Sequence, residues 1–131
     1  MDAPRAKFQP VDPGFAARVR ASFGRQKAMA LIGAELTVVE PGYAEIALPY
    51  RDDLTQQKGY VHGGVIGMIA DTACGYAAYS LMPASASLVT VEYKINILAP
   101  ARGAVYAEDG KPVATMLQTL MMLPDTPDAP E

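Results

Sequence analysis

The most informative stretch of the chain is residues 56–73, QQKGYVHGGVIGMIADTA. It leads into a segment, from Gly64 to about Leu81, whose side chains are apolar almost all the way round a helix. Helices of this kind are normally buried on every side, whereas surface helices carry a single apolar stripe. Pro83 is expected to stop the segment. The pattern therefore predicts one central, buried helix.

The residues that flank this helix predict antiparallel strands. Residues 31–40 and 43–49 are rich in strand-forming side chains and are separated by a Pro-Gly turn, which indicates a hairpin. Residues 113–123 predict a last strand that is apolar on both faces. Residues 87–98 alternate between two faces, one with Val89, Val91, Tyr93, Ile95 and Ile97 and the other with Thr90, Glu92, Lys94 and Asn96. One buried helix among several strands is typical of an α+β fold, in which a curved antiparallel sheet wraps around a central helix.

The remaining residues predict a single domain, 1–131, with loose ends. Asp12 and Pro13 are typical of the N-cap and first position of a helix, and the apolar spacing that follows predicts a short amphipathic helix. Residues 1–11 show no regular pattern. Residues 124–131 contain three prolines and three acidic side chains, so both ends are expected to be flexible.

Composition excludes several classes of function. The net charge is −3 and basic residues form no patch, so nucleic acid is not an expected partner. No apolar run is long enough to span a membrane, and residues 1–10 lack the apolar core of a secretory signal. The only cysteine is Cys74, which fits a reducing compartment, and no metal-ligand cluster is visible. We therefore expect a cytoplasmic protein without metal or membrane partner.

Two features of the central helix are unusual for a core. Its entry is His62-Gly63-Gly64, where two glycines weaken the helix but allow another group to approach the backbone closely. The N–H groups there, aided by the helix dipole, can polarise a carbonyl oxygen. The other feature is Asp71, the only charged residue between His62 and Leu81. A carboxylate in apolar surroundings is costly unless it is hydrogen-bonded or functional.

With these features in place, residues 56–73 resemble the signature of PaaI-like hotdog-fold acyl-CoA thioesterases. Residues 89–101, VTVEYKINILAPA, resemble the long central strand of that family. The likeness covers roughly residues 31–103 and 104–123. It implies a hotdog fold, hydrolysis of an acyl-CoA to free acid and CoA, and assembly into a homodimer or homotetramer. No cofactor is implied, because CoA is part of the substrate.

The resemblance also implies roles for individual residues. The Gly63 N–H would hold the thioester carbonyl oxygen, and Asp71 would act as general base on water or as nucleophile. Gln56 would lie near the thioester, His62 would support the loop and the oxyanion site, and Thr90 would orient the water. The residues expected to contact substrate are Gly64, Val61 and Asn96.

Each of these residues has a structural alternative. His62 could simply cap the helix, and Asp71 could be a structural acid in a dimer interface. Gln56 and Thr90 could be ordinary polar surface residues. Cys74 follows Asp71 by three positions, but no neighbour in the sequence would activate it, so we interpret it as a core residue.

One departure from the family lies where Gly103 meets Ala104. Relatives usually run through most of two further strands before the equivalent of Ala104, on the order of twenty residues. Either the protein lacks this part, or the sequence omits it; the unpaired strand edges that a true deletion would leave favour omission. A true deletion would also remove residues that help to line the CoA site.

Three functions compete. The catalytic signature favours a thioesterase for aromatic or medium-chain acyl groups, whereas the gap favours a non-catalytic hotdog protein that binds acyl groups or only assembles. A hotdog dehydratase or hydratase usually has Asp five residues before the histidine; this chain has Gln57 there, which counts against that function.

The spacing of two candidate residues also predicts an assembly. Because Gly64 and Asp71 lie about 10 Å apart along a helix, we expect each thioesterase site to be shared between two chains.

Overall fold

The computed structural model describes residues 7–101 and 114–128. Three α-helices, one 3-10 turn and four β-strands follow one another along these residues. In chain order they are α1 Phe15–Arg25, α2 Lys27–Ile32, β1 Glu35–Glu40, β2 Tyr43–Ala47, the 3-10 turn Asp52–Leu54, α3 Gly63–Tyr79, β3 Ser87–Ile97 and β4 Ala114–Leu123.

The long helix α3 lies at the centre of the fold and packs on β2, β3 and β4. The predicted central helix is therefore confirmed, and its bounds differ from the prediction by only one or two residues. Ile66 and Ile69 on one side of α3 join a core formed with Met29, Ile32 and Leu48. Tyr76 and Tyr79, nearer the C-terminal end of α3, pack with Val19 of α1. Apolar burial on several sides explains why α3 lacks a polar face.

The strands confirm the predicted α+β class, but the described strands do not all pair into one sheet. Within the described residues, β1 pairs with β2 and β3 pairs with β4, both antiparallel, as two separate two-stranded sheets. The stretch between β3 and β4 includes Gly103 and Ala104, so the apparent gap in the sequence lies outside the described residues.

The strict alternation predicted for β3 is wrong at one point. The register of β3 against β4 shifts between Thr90 and Glu92, so Val91 is an extra residue in the ladder. Thr90 and Tyr93 consequently lie on the same face, towards α3. The Thr90 hydroxyl bonds to Asp71, and the Tyr93 hydroxyl approaches Gly67.

The N-terminal helices also correct the sequence-based expectations. Helix α1 begins at Phe15 with Gly14 as N-cap, two residues later than predicted. The Asp12 carboxylate instead accepts hydrogen bonds from the Gly14 N–H at 2.8 Å and from Arg18 Nε at 2.9 Å. Residues 31–32 belong to α2, because burial of Ile32 in the core outweighs their strand propensity.

The C-terminal residues 124–128, predicted to be flexible, return to α1. There Asp128 forms an ion pair with Arg25. Of the helices in the described ranges, none has the length and apolar character needed to cross a membrane.

Candidate active site

One side of α3 is formed by residues at every fourth position, Gly63, Gly67, Asp71 and Gly75. All of them are glycines except Asp71. Strand β3 crosses this face closely: a Cβ built on Gly67 would lie 3.3 Å from the Tyr93 hydroxyl oxygen. Glycines let the strand approach, so the carboxylate of Asp71 projects into a narrow space between helix and strand.

The Asp71 carboxylate is held through one of its two oxygens. The Thr90 hydroxyl donates to Oδ1 at 2.7 Å, and Gln118 Nε2 on β4 donates to the same oxygen. Gln118 Nε2 also lies 3.1 Å from Thr90 Oγ1, which closes a ring of hydrogen bonds. No donor from residues 7–101 or 114–128 contacts Oδ2. The half-buried carboxylate is thus fixed on one side and available on the other.

A cavity of 190 Å³ lies next to this carboxylate. Its walls come from α1, the residue between α1 and α2, α3, β3 and the C-terminal residues. The lining residues are Ser22, Gln26, Asp71, Thr72, Gly75, Tyr76, Tyr79, Leu88, Thr90 and Asp128. Tyr76 Oη lies 3.0 Å from Ser22 Oγ and accepts a hydrogen bond from Gln26 Nε2 at 2.9 Å. Burial raises the pKa of Tyr76 above its usual value, so the phenol stays neutral at physiological pH.

The start of α3 carries backbone N–H donors and a histidine cap. His62 is the N-cap, and its Nδ1 accepts the Gly64 N–H at 2.9 Å. That contact occupies the Gly64 donor and requires the imidazole proton, when neutral, to sit on Nε2. The Gly63 N–H meets no acceptor among the described residues, and a Cβ on Gly63 would touch nothing within 4 Å. Gly63 therefore supplies an open donor at the positive end of the helix dipole.

Gly63 lines a second, more open cavity of 380 Å³. Gln56 and Val61 lie in its wall, beside the chain that leaves β3 at residues 97–101. The Gln56 side-chain oxygen accepts the Lys58 N–H, so this amide is tied to its own loop. The buried Val61 donates its N–H to the Ala101 carbonyl at 3.1 Å.

The residues singled out from the sequence thus fall into two groups. Asp71 and Thr90 meet beside the first cavity, while Gly63 and Gln56 lie at the second. Neither cavity is lined by both Asp71 and Gly63. Asn96 is exposed and follows the inward-packing Ile95, so it lies on the face of β3 that points away from α3.

Cys74 lies on α3 near Asp71 but has the character of an inert thiol. Burial raises its pKa, and the nearby negative charge of Asp71 raises it further. A thiol with a raised pKa holds little reactive thiolate at neutral pH.

Sequence reasoning missed Gln118, the second donor to Asp71. The sequence pattern predicts that both faces of its strand are apolar. The inward positions of β4 are Ala114, Met116, Gln118 and Leu120, so an amide stands alone in an apolar row. A single amide in such a row was the available signal, because buried amides need hydrogen-bond partners.

Comparison with known proteins places this arrangement in a family. The family model for the thioesterase superfamily matches residues 58–108. A solved thioesterase family protein from Silicibacter pomeroyi is 41% identical, and the match covers 85% of this chain and 99% of that one with a TM-score of 0.79. The E. coli PaaI protein from the phenylacetic acid degradation operon shares the fold at 16% identity, a TM-score of 0.73, and coverage of 83% of this chain and 93% of that one.

Fold and site together define an α+β hotdog protein. The chain belongs to the thioesterase superfamily, as its resemblance to PaaI-like proteins predicted. Curated relatives from Halobacterium salinarum and Saccharolobus solfataricus, whose names mark them as inferred esterases, are 31% identical over 85 residues and 36% identical over 73. Those matches cover 61% and 56% of this chain but 56% and 51% of the relatives, so the chain spans about half their length.

Proposed function

We propose that the protein hydrolyses an acyl-CoA thioester to a free acid and CoA, with Asp71 as the essential carboxylate. The observation that carries this proposal is the fixed Oδ1 and open Oδ2 of Asp71 beside a cavity. A general base needs one oxygen within reach of the proton that it removes, and a second oxygen held by donors keeps it in that position.

In the proposed reaction, Asp71 Oδ2 takes a proton from water while the water oxygen attacks the thioester carbonyl carbon. The carbon–sulfur bond then breaks, and the departing thiolate receives the proton. The developing negative charge on the carbonyl oxygen requires an N–H donor, and Gly63 offers one that the described residues leave open. His62 positions this donor by capping the helix, and Gln56 borders the same cavity. As an alternative, Asp71 attacks the carbon directly and water releases the acyl group afterwards.

Helix geometry supports a site shared between two chains. Gly63 and Asp71 are eight residues apart on one face of α3, about 12 Å along its axis. The carbonyl oxygen must lie about 3 Å from its donor, while the attacking water lies beside the base at the adjacent carbon. A two-fold dimer can place Asp71 of one chain opposite Gly63 of its partner, either alone or within a tetramer.

The cavity beside Asp71 supports a compact acyl group. Its volume of 190 Å³ exceeds the roughly 150 Å³ of an engineered cavity that binds benzene. A single aromatic ring therefore fits, as does a medium-length aliphatic chain that extends into the opening.

The test is thioester hydrolysis by the purified protein. Phenylacetyl-, benzoyl-, hexanoyl- and octanoyl-CoA would each be followed by thiol release, with Asp71→Asn as the matched variant. We expect wild-type turnover that Asp71→Asn abolishes. Binding of an acyl-CoA by calorimetry without turnover would instead support a non-catalytic acyl-binding protein, the alternative that the apparent gap between Gly103 and Ala104 favours.

A further inference from the structure

The amide of Gln118 is the least expected polar group in the interior of the protein. On β4 it stands opposite Tyr93 in the ladder and faces α3, between the apolar inward residues Met116 and Leu120. An apolar side chain would pack at this position without any polar group to satisfy. The presence of an amide therefore calls for a specific partner.

The contacts of Gln118 identify that partner as Asp71. The side-chain nitrogen reaches Asp71 Oδ1, lies 3.1 Å from Thr90 Oγ1, and approaches the Asp71 backbone oxygen at 3.4 Å. Donor and acceptor chemistry fits one pattern: Gln118 donates to Asp71 and to Thr90, and the Thr90 hydroxyl donates to Asp71. Two of these hydrogen bonds end on the carboxylate, and the third ends on the hydroxyl that donates to it.

The other end of the Gln118 amide is unusual as well. Gln118 Oε1 is buried and has no hydrogen-bond partner among the described residues. A buried acceptor without a partner destabilises the fold. The amide thus satisfies only its nitrogen, which is the end that serves the carboxylate.

We propose that Gln118 is a positioning residue for Asp71: with Thr90, it fixes Oδ1 and directs Oδ2 towards the substrate. This inference rests on the proposed function of Asp71. The two donors come from two different strands, β3 and β4, so the carboxylate cannot rotate without breaking contacts to both.

The test is the substitution Gln118→Leu, which has similar size, removes the donor and also removes the unpartnered Oε1. Thr119→Val is the control, since Thr119 is the next residue on β4 but points to the other face, where its hydroxyl contacts Glu92 at 3.3 Å. We expect kcat to fall about 10- to 100-fold in Gln118→Leu, the range for losing one hydrogen bond to a charged group. KM should change little, because the contact that is lost orients the base and does not bind the substrate.

Thr119→Val should match wild type in both kcat and KM. An unchanged kcat in folded Gln118→Leu would overturn the proposal, as would equal losses in both variants. If the wild-type protein hydrolyses no thioester, the proposed function fails, and the contact itself is judged by NMR. The Gln118 side-chain amide resonances should then shift in Asp71→Asn, with the amide of exposed Gln57 as reference; no shift would also refute the inference.

Discussion

The two ends of one helical face, Asp71 and Gly63, are built in opposite ways. Asp71 is held by side chains from β3 and β4 and borders a cavity with several polar groups in its wall. Gly63 has no side chain, meets no acceptor in the described part of the chain, and faces open space. The contacts that hold Asp71 (the carboxylate end) thus all come from one chain. The Gly63 N–H (the donor end) is a backbone group that can bind a ligand or a partner.

This difference predicts how substitutions at the two residues should affect folding and activity. A change near Asp71 should alter the chemistry through contacts that already exist in the single chain. A change at Gly63 should leave the fold of the single chain intact and become visible only when a thioester binds.

The largest effect is expected at Asp71. Asp71→Asn keeps the size of the side chain and removes the base, so kcat should fall by at least about 10²-fold and by as much as about 10⁴-fold. The control is Asp52→Asn, in the exposed 3-10 turn, which should retain full activity. Near-normal turnover by folded Asp71→Asn would remove this carboxylate from the mechanism.

Gly63→Pro should cause the next largest loss. Proline suits the first position of a helix, and His62, with φ −61° and ψ 135°, already has the conformation that precedes proline. The protein should therefore fold but lack the donor, with kcat lower by about 10²- to 10³-fold. Gly63→Ala keeps the N–H, so it should retain much more activity; equal losses in the two variants would argue against the donor role.

Mixing the two inactive variants tests whether the carboxylate and donor ends belong to one site. In a mixed dimer of Asp71→Asn and Gly63→Pro chains, a shared arrangement places both defects in one site and neither in the other. Activity should then recover to at most half of the wild-type value per dimer. Mass spectrometry would confirm subunit exchange, and exchange without recovery would mean that each chain builds its own site.

The smallest effect is expected at Cys74. Cys74→Ala should stay within a few-fold of wild-type activity, because its thiol has a raised pKa and is not an activated nucleophile. Alkylation of the wild-type thiol by iodoacetamide should be slow at neutral pH and accelerate as pH rises. Asp71→Asn removes the charge that contributes to the raised pKa, so alkylation should become faster in that variant. Loss of activity in folded Cys74→Ala would contradict this assignment.

Much of the architecture could be predicted from residue patterns. The all-round apolar character of α3 indicated a buried central helix, and β-branched runs around a Pro-Gly turn indicated the β1–β2 hairpin. The isolated charge of Asp71 and the glycines at the helix start marked the two groups that the structure places on one face. These features depend on local sequence and on burial alone.

The remaining features depend on contacts between distant residues. The bulge at Val91 arises from the pairing of β3 with β4, which a single strand pattern cannot reveal. Residues 31–32 favour a strand locally but complete α2 because Ile32 joins the core. Gln118 gains its importance only from the register that brings it to Asp71.

The bulge in β3 also separates folding from chemical competence. A ladder that absorbed Val91 into regular alternation would turn Thr90 to the outer face and set valine side chains beside Asp71. Such a molecule would bury a comparable amount of apolar surface. Its circular dichroism and hydrodynamic radius would match those of the native protein. In the proposed mechanism it would nevertheless be inactive, because Asp71 would lack the Thr90 donor. The fraction of active sites in a preparation would therefore report strand register, a property that the melting curve of the same preparation does not measure.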